Sequence, residues 1–341
     1  MTALPAIVHC FSLLAAREMQ SSLDPAGTSA AATWSLWWLY FWVLITIFAL
    51  VLLSVCIALG RGRRLPEKTH SEGPPVVPAR GTERHIKVVV SSCVVLTILI
   101  LFALLFLDIF AGRAVYALAN EAHPLSLKVI GHQWWWEVQY QNPDQPSEIM
   151  TTANEIHVPV GKIVRIELMS TDVIHSFWVP NITGKKDLIP GHPTKTWLRA
   201  DQPGTFRGQC AEFCGHQHAH MRFEFVAEPP DKFNQWLTQG RQNAHQPTTE
   251  SEGRGEEVFL TNQCVMCHTI EGTPARASLG PDLTHFGSRK TLAAGSFPNT
   301  RGYLAAWIAN PQNIKPGARM PPNPLSSDDL NALVDYLESL K

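Results

Sequence analysis

Two cysteine pairs with His and Met nearby carry most of the chemistry available to these 341 residues. The first pair lies in Cys210-Ala-Glu212-Phe-Cys214-Gly-His216-Gln-His218-Ala-His220-Met221. Thiolate, imidazole and thioether in one short loop form a soft donor set that suits copper, and the thioether argues against zinc. A mononuclear copper site of this kind needs one Cys and a second His from another strand. His175, in Asp172-Val-Ile-His175-Ser-Phe, is the candidate for that His. The extra Cys changes the outcome. Two thiolates can bridge two copper ions, with one imidazole for each metal and the Met221 sulfur and a loop carbonyl as weaker ligands. An electron shared over two metals changes each bond little, which suits fast electron transfer. A Cys210–Cys214 disulfide, a zinc site, and ligation by His216 or His220 remain the competing readings.

The second pair is Cys264-Val-Met266-Cys267-His268. This is the pattern of covalent haem attachment, in which two thiols bond the porphyrin and the adjacent His binds iron. Composition alone gives on the order of 0.006 such motifs in a chain like this, so chance is a poor explanation. The sixth iron ligand is usually a downstream Met, which raises the potential. Met320, in Gly317-Ala-Arg319-Met320-Pro-Pro, is the only Met after Met266. A redox-active dithiol is the alternative for Cys264 and Cys267, and the adjacent His268 speaks against it. Cys56 and Cys93 fall in apolar runs and read as inert fillers. Cys10 sits in the first 33 residues, which read as a leader or an outer segment. Residues 6–16 hold a short apolar stretch, without the basic residues that open a signal peptide.

Elements that position these groups follow from patterning. Residues 34–59 and 88–107 carry no charge. The longer run would cover roughly 39 Å as a helix, more than a hydrocarbon core of about 30 Å. Trp34, Trp37, Trp38 and Tyr40 crowd one end of the first run, as interfacial aromatics do. The connector carries Arg61, Arg63, Arg64, Lys68, Arg80, Arg84 and Lys87, which by the positive-inside rule puts it in the cytoplasm and everything after about residue 110 outside. Residues 34–110 are therefore expected to form a transmembrane hairpin.

Alternation in Val164-Arg165-Ile166-Glu167-Leu168 and Met221-Arg222-Phe223-Glu224-Phe225, with Pro and Gly between such runs, predicts an all-β domain over 111–228. A short helix and a flexible linker are expected over 229–252, the polar stretch 245–255 being the tether. Helices are expected over 253–341, the last capped by Ser326 with an apolar stripe through Leu330, Leu333, Val334, Leu337 and Leu340. The net charge is −1 and 17% of residues are charged, which gives no electrostatic basis for binding nucleic acid.

Gly131-His132-Gln133-Trp134-Trp135-Trp136, the Asp172 to His175 stretch, Ile189-Pro190-Gly191 and the Cys210 to Met221 loop resemble subunit II of the haem-copper cytochrome c oxidases. Residues 253–341, with Gly280-Pro281-Asp-Leu283, resemble small class I cytochromes c, as fused to bacterial oxidase subunits II. The resemblance implies a cupredoxin-like domain with binuclear Cu(A). Its ligands are the side chains of His175, Cys210, Cys214, His218 and Met221 and the carbonyl of Glu212. The Glu212 carboxylate would also reach a Mg²⁺ shared with subunit I. Trp134 matches the surface tryptophan through which electrons arrive from cytochrome c. The Pro281 carbonyl would orient His268.

The same resemblance implies that subunits I and III, a cytochrome c or other periplasmic donor, and the lipid of a bacterial inner membrane are the partners. Oxygen reduction and proton translocation would be carried out by the complex, with no bond-making residue in this chain. Glu83 is the nearest carboxylate to a proton-channel entrance in relatives, though its context, Glu83-Arg-His-Ile-Lys87-Val, departs from theirs. The alternatives are the corresponding subunit of a Cu(A)-containing nitric oxide reductase, and an anchored electron carrier without a catalytic partner.

Overall fold

The computed structural model describes residues 19–62, 80–120, 123–141 and 148–341. The apolar stretch at 6–16, Cys10, and Arg63, Arg64 and Lys68 of the basic connector lie outside the described residues.

Two long helices, α1 (Thr28–Gly62) and α2 (Arg80–Tyr116), contain the uncharged runs. Both have the length and composition to cross a membrane, and none of their most apolar stretch is buried in the protein. Each is longer than the run that predicts it. A charged or polar residue ends the lipid-compatible stretch, but it does not end a helix. Nothing in Thr28-Ser-Ala-Ala-Ala-Thr at one end or around Arg113 at the other breaks the backbone pattern. The β domain therefore starts at Leu125 rather than at 111. Among the described residues, those from 32 to 117 form one compact unit, and 19–31 join those from 118 on in the other.

Part of the expected leader or outer segment belongs to that second unit. The amides of Ala26 and Gly27 both donate to the Asn181 carbonyl (2.7 and 3.1 Å), and the Arg207 amide donates to the Met19 carbonyl (2.7 Å). Ala26 is buried in the core of the β domain.

That core is a sandwich of two five-stranded sheets. One contains β1 (Leu125–His132), β2 (Trp135–Gln141), β3 (Ile149–Ala153), β5 (Ile163–Ser170) and β8 (Thr194–Arg199), in the order β3-β2-β1-β5-β8. The other contains β4 (Glu155–Pro159), β6 (His175–Trp178), β7 (Lys186–Leu188), β9 (Gly204–Cys210) and β10 (Arg222–Glu228), in the order β4-β10-β9-β6-β7. Alternation in β10 is complete: Phe223, Phe225 and Ala227 point inward while Arg222, Glu224 and Glu228 stay partly exposed. Trp136, Phe177 and Phe223 pack edge to face and stacked in the sandwich core.

Helix α3 (Pro230–Gly240) packs Phe233 on this core. Beyond it the chain departs from the expected tether. Helix α4 (Glu250–Thr261) already begins at Glu250, closed by a capping box in which Thr249 and Glu252 satisfy each other's backbone amides. Gly255 is a crossing residue, because a Cβ there would lie 2.1 Å from the Ala332 carbonyl. The remaining segment is tied down as well: the Ala244 amide donates to the Glu271 carbonyl, and His285 meets the Gln242 carbonyl. Helices α5 (Arg301–Ala309) and α6 (Ser327–Ser339) complete the second core, built on Phe259, Leu333, Val334, Tyr336 and Leu337. Ser326 caps α6 by accepting from the Asp329 amide.

Candidate metal and haem centres

Pairing of β9 with β10 sets Gln209 opposite Arg222, so the loop from Ala211 to Met221 leaves and returns at one place. The Cys210 amide donates to the Met221 carbonyl across its neck (2.9 Å). On the other side of β9, Phe177 of β6 pairs with Cys210, which brings His175 to the same end of the sheet. Long-range register thus delivers the one donor that the loop does not contain.

Five side chains and one carbonyl converge there. Cys210 Sγ lies 3.8 Å from Cys214 Sγ, 3.8 Å from His175 Nδ1 and 3.2 Å from the Glu212 carbonyl oxygen. Cys214 Sγ lies 3.6 Å from His218 Nδ1 and 3.8 Å from Met221 Sδ. Around a first-row metal ion with sulfur at about 2.3 Å and imidazole nitrogen at about 2.0 Å, tetrahedral donors stand roughly 3.5–3.8 Å apart. The pocket has that spacing. Cys210, Cys214, His175 and Met221 are all buried. A disulfide is absent, as both sulfurs are free. His216 and His220 are exposed and contribute no donor to this cluster.

Asp172 sets up the pocket from outside it. Its Oδ1 accepts from His175 Nε2 at 2.8 Å, which fixes the tautomer and leaves Nδ1 facing the sulfurs. Burial alone would raise the Asp172 carboxyl. Hydrogen bonds from His175 and from the Gln133 and Val173 amides outweigh it and hold the group at about 2. Contact with the Cys214 sulfur, then with the His175 ring, holds the Cys210 thiol far below its ordinary range, which favours the thiolate that metals require. Gln133 Nε2 and Trp134 Nε1 both donate to the Cys214 carbonyl, at 2.8 and 2.9 Å, bracing the loop from β1's end. Asp172 and Gln133 lie within recognisable motifs, but the sequence alone assigns them no role. A carboxylate three residues from a ligating His was the available signal for Asp172.

Glu212's side chain points away from the sulfurs and is half exposed, 4.0 Å from Lys185 Nζ. Trp136 is fully buried, Trp135 stacks on His132, and Trp134 is half-buried with Gly317 against its ring. Trp134 is therefore less open than a surface ring.

Helix α4 leads into a 3-10 turn at Gln263–Met266, where the amides of Cys267 and His268 both donate to the Cys264 carbonyl (3.1 Å each). This places both thiols and the His on one turn. His268 Nδ1 lies 2.7 Å from the Pro281 carbonyl, so Nε2 is the free nitrogen. Burial pushes the His268 ring down, towards the neutral form that binds iron. Gly280 backs this ring so closely that a Cβ would lie 2.7 Å from it. The donor set and its backing fit a covalent haem. Met320 sits in a loop that Gln312 braces through the carbonyls of Ala318 and Met320 (2.7 and 2.9 Å). In α2, Glu83 pairs with Lys87 at 2.7 Å on an exposed face.

Comparison with known proteins matches both halves of this unit. The family model for "Cytochrome C oxidase subunit II, periplasmic domain" matches residues 142–227, and that for cytochrome c matches 253–341. Cytochrome c oxidase subunit 2 of Alkalihalophilus pseudofirmus is 35% identical over 334 residues, 95% of this chain and 92% of that protein. The subunit 2 of Bacillus sp. (strain PS3) is 32% identical over 65% of this chain and 64% of its own length. The crystal structure of the periplasmic domain of subunit II from Bradyrhizobium japonicum is similar at 32% identity, covering 36% of this chain and 96% of that one, with a TM-score of 0.33. An alignment with a relative that runs almost end to end, through hairpin, sandwich and haem helices alike, means that this chain belongs to the cytochrome c oxidase subunit II family, in a form with a cytochrome c domain at its C-terminal end.

Proposed function

We propose that the chain is the subunit through which electrons enter a terminal respiratory oxidase. In this reading a cytochrome c or another periplasmic donor delivers electrons through haem c and a binuclear Cu(A) pair to subunit I, where O₂ is reduced to water with proton translocation. The observation that carries it is the convergence of six donors, two of them cysteine sulfurs 3.8 Å apart, in the same compact unit as a haem attachment turn. When bound, the copper pair and the haem iron each supply a centre that accepts and releases one electron.

The protein's own residues hold those centres. Cys210, Cys214, His175, His218, Met221 and the Glu212 carbonyl would hold the copper pair. Cys264 and Cys267 would attach haem and His268 and Met320 would hold its iron, while the Pro281 carbonyl fixes the His268 ring. Burial of His175, Cys210, Cys214 and Met221 keeps water from reorganising around the copper set. Trp134, bonded to the Cys214 carbonyl, is the ring between the copper loop and the haem domain.

The half-exposed Glu212 carboxylate is the group offered to a Mg²⁺ at the contact with subunit I. Glu83, in the first turn of α2, is the carboxylate nearest a proton-channel entrance. The two long helices anchor the chain as a two-span protein of the bacterial inner membrane, beside subunits I and III, with both centres on the periplasmic side. Purified complex, supplied with reduced cytochrome c, should consume oxygen; consumption of nitric oxide instead would assign the chain to a reductase of that gas.

A further inference from the structure

Lys315 lies in the loop between the Pro311–Asn313 turn and Met320, and only 4% of it is exposed. Among the described residues no carboxylate is hydrogen-bonded to it. An ammonium has three protons to donate, and here its Nζ meets three carbonyl oxygens: Trp134 at 3.0 Å, His220 at 2.8 Å and Ala293 at 3.1 Å. Burial above all, with the Arg222 charge adding to it, pulls the group down to about 7. A lysine placed this way is costly to keep unless its contacts serve a purpose.

Those contacts join two domains. Ala293 belongs to the haem domain, and Trp134 and His220 belong to the copper domain. His220 directly precedes the ligand Met221, and Trp134 bonds the carbonyl of the ligand Cys214. The flanking residues repeat the pattern. Gln217 Nε2 donates to the Pro316 carbonyl at 2.7 Å. Gly317 lies against the Trp134 ring, where an added Cβ would stand 3.7 Å from it. Arg319 pairs with Asp172 at 3.3 Å, on the oxygen not used by His175. The Arg222 amide donates to the Ala294 carbonyl at 3.0 Å. The loop that ends in the iron's axial candidate thus lies on the copper loop, over the ring at which an external donor would land.

We propose that Lys315 is a positioning residue that clamps the Met320 loop onto the Trp134 face, making that face an internal junction between the two centres and leaving external donors to dock on the haem domain. This rests on the functional reading above. Removing the ammonium takes away the donor to the Trp134 carbonyl and leaves those of His220 and Ala293 only the Ser296 hydroxyl to share, so the two domains should separate more often. The junction would then have to re-form before each transfer.

The test uses the intact, fully loaded protein with Lys315→Met, which keeps the length of the side chain and removes the charge. Hydrogen–deuterium exchange should rise about tenfold or more in peptides covering 130–137 and 215–222, with haem and copper spectra unchanged. Transfer from haem to copper after flash reduction should slow by a similar factor and become sensitive to salt, whereas transfer in the unmodified protein should be insensitive. Wild-type exchange and wild-type transfer in Lys315→Met would overturn the clamp. Should that variant lose its metals or fail to accumulate, Gln217→Ala removes the neighbouring bond to Pro316. It should show the same two changes at smaller size, and their absence there would equally overturn the clamp. If the unmodified protein shows no transfer from haem to copper, the functional reading fails, while exchange still decides whether Lys315 holds the face closed.

Discussion

The copper pocket and the haem pocket are built by opposite strategies. Five of the six proposed copper donors come from one loop, yet the site closes only because β6 pairs with β9 and brings His175 across. Neighbouring donors stand 3.2–3.8 Å apart. The haem pocket puts three of its groups within five residues, on a single turn after α4. Its fourth group rides a loop braced by Gln312. A soft, two-metal centre needs every donor fixed before the metal arrives, because small displacements would favour one metal over two. A covalent cofactor brings its own rigidity and asks the chain only for attachment and one oriented ring.

Substitutions should separate these strategies. Cys210→Ser has the largest expected effect. The bridge is lost, the shared-electron signal disappears, and a mononuclear copper remains on Cys214, His218, Met221 and His175. Electron paramagnetic resonance reads this directly, and a signal still shared equally over two coppers would remove Cys210 from the bridge. Met320→Ala should leave haem covalently attached while lowering its potential, since attachment needs only Cys264, Cys267 and His268. A redox titration with the potential unchanged would mean that another group binds iron. Asp172→Asn should weaken copper binding by roughly 10–100-fold through loss of a fixed His175 tautomer, without altering haem content. Competition with a copper chelator measures it.

Ser326→Ala should cost the haem domain about 1 kcal/mol through its lost cap, and leave the copper domain untouched. Asp329 is held below the ordinary value of 3.8 first by Ser326 and then by Arg254. Its contribution is present above that value and lost as pH falls through the lowered one. The deficit of Ser326→Ala should therefore shrink in thermal melts below about pH 4.

Legibility in the sequence followed locality. Cys264, Cys267 and His268 announce themselves because covalent attachment fixes their spacing. The Cys210 to Met221 loop is nearly as plain, and alternation in 163–170 and 222–228 marks strands because one face is buried. Helix ends were not visible where only lipid compatibility changed, as at Thr28 and Tyr116. Gly253 and Gly255 read as flexibility, although Gly255 is where α4 meets α6, and the Thr249 and Glu252 capping box was there to be read. Lys315 had no signal at all. A lysine in a Pro- and Gly-rich loop looks solvated until three carbonyls from separate stretches of chain are found around it.

The account rests on two centres in series within one chain. Flash-induced reduction of the intact protein, followed at haem and copper wavelengths over a range of protein concentrations, tests it most directly. Haem oxidation and copper reduction should share one rate that does not change with concentration and hardly changes with salt. A rate that rises in proportion to concentration, or copper reduced by added donor while haem stays oxidised, would contradict the series.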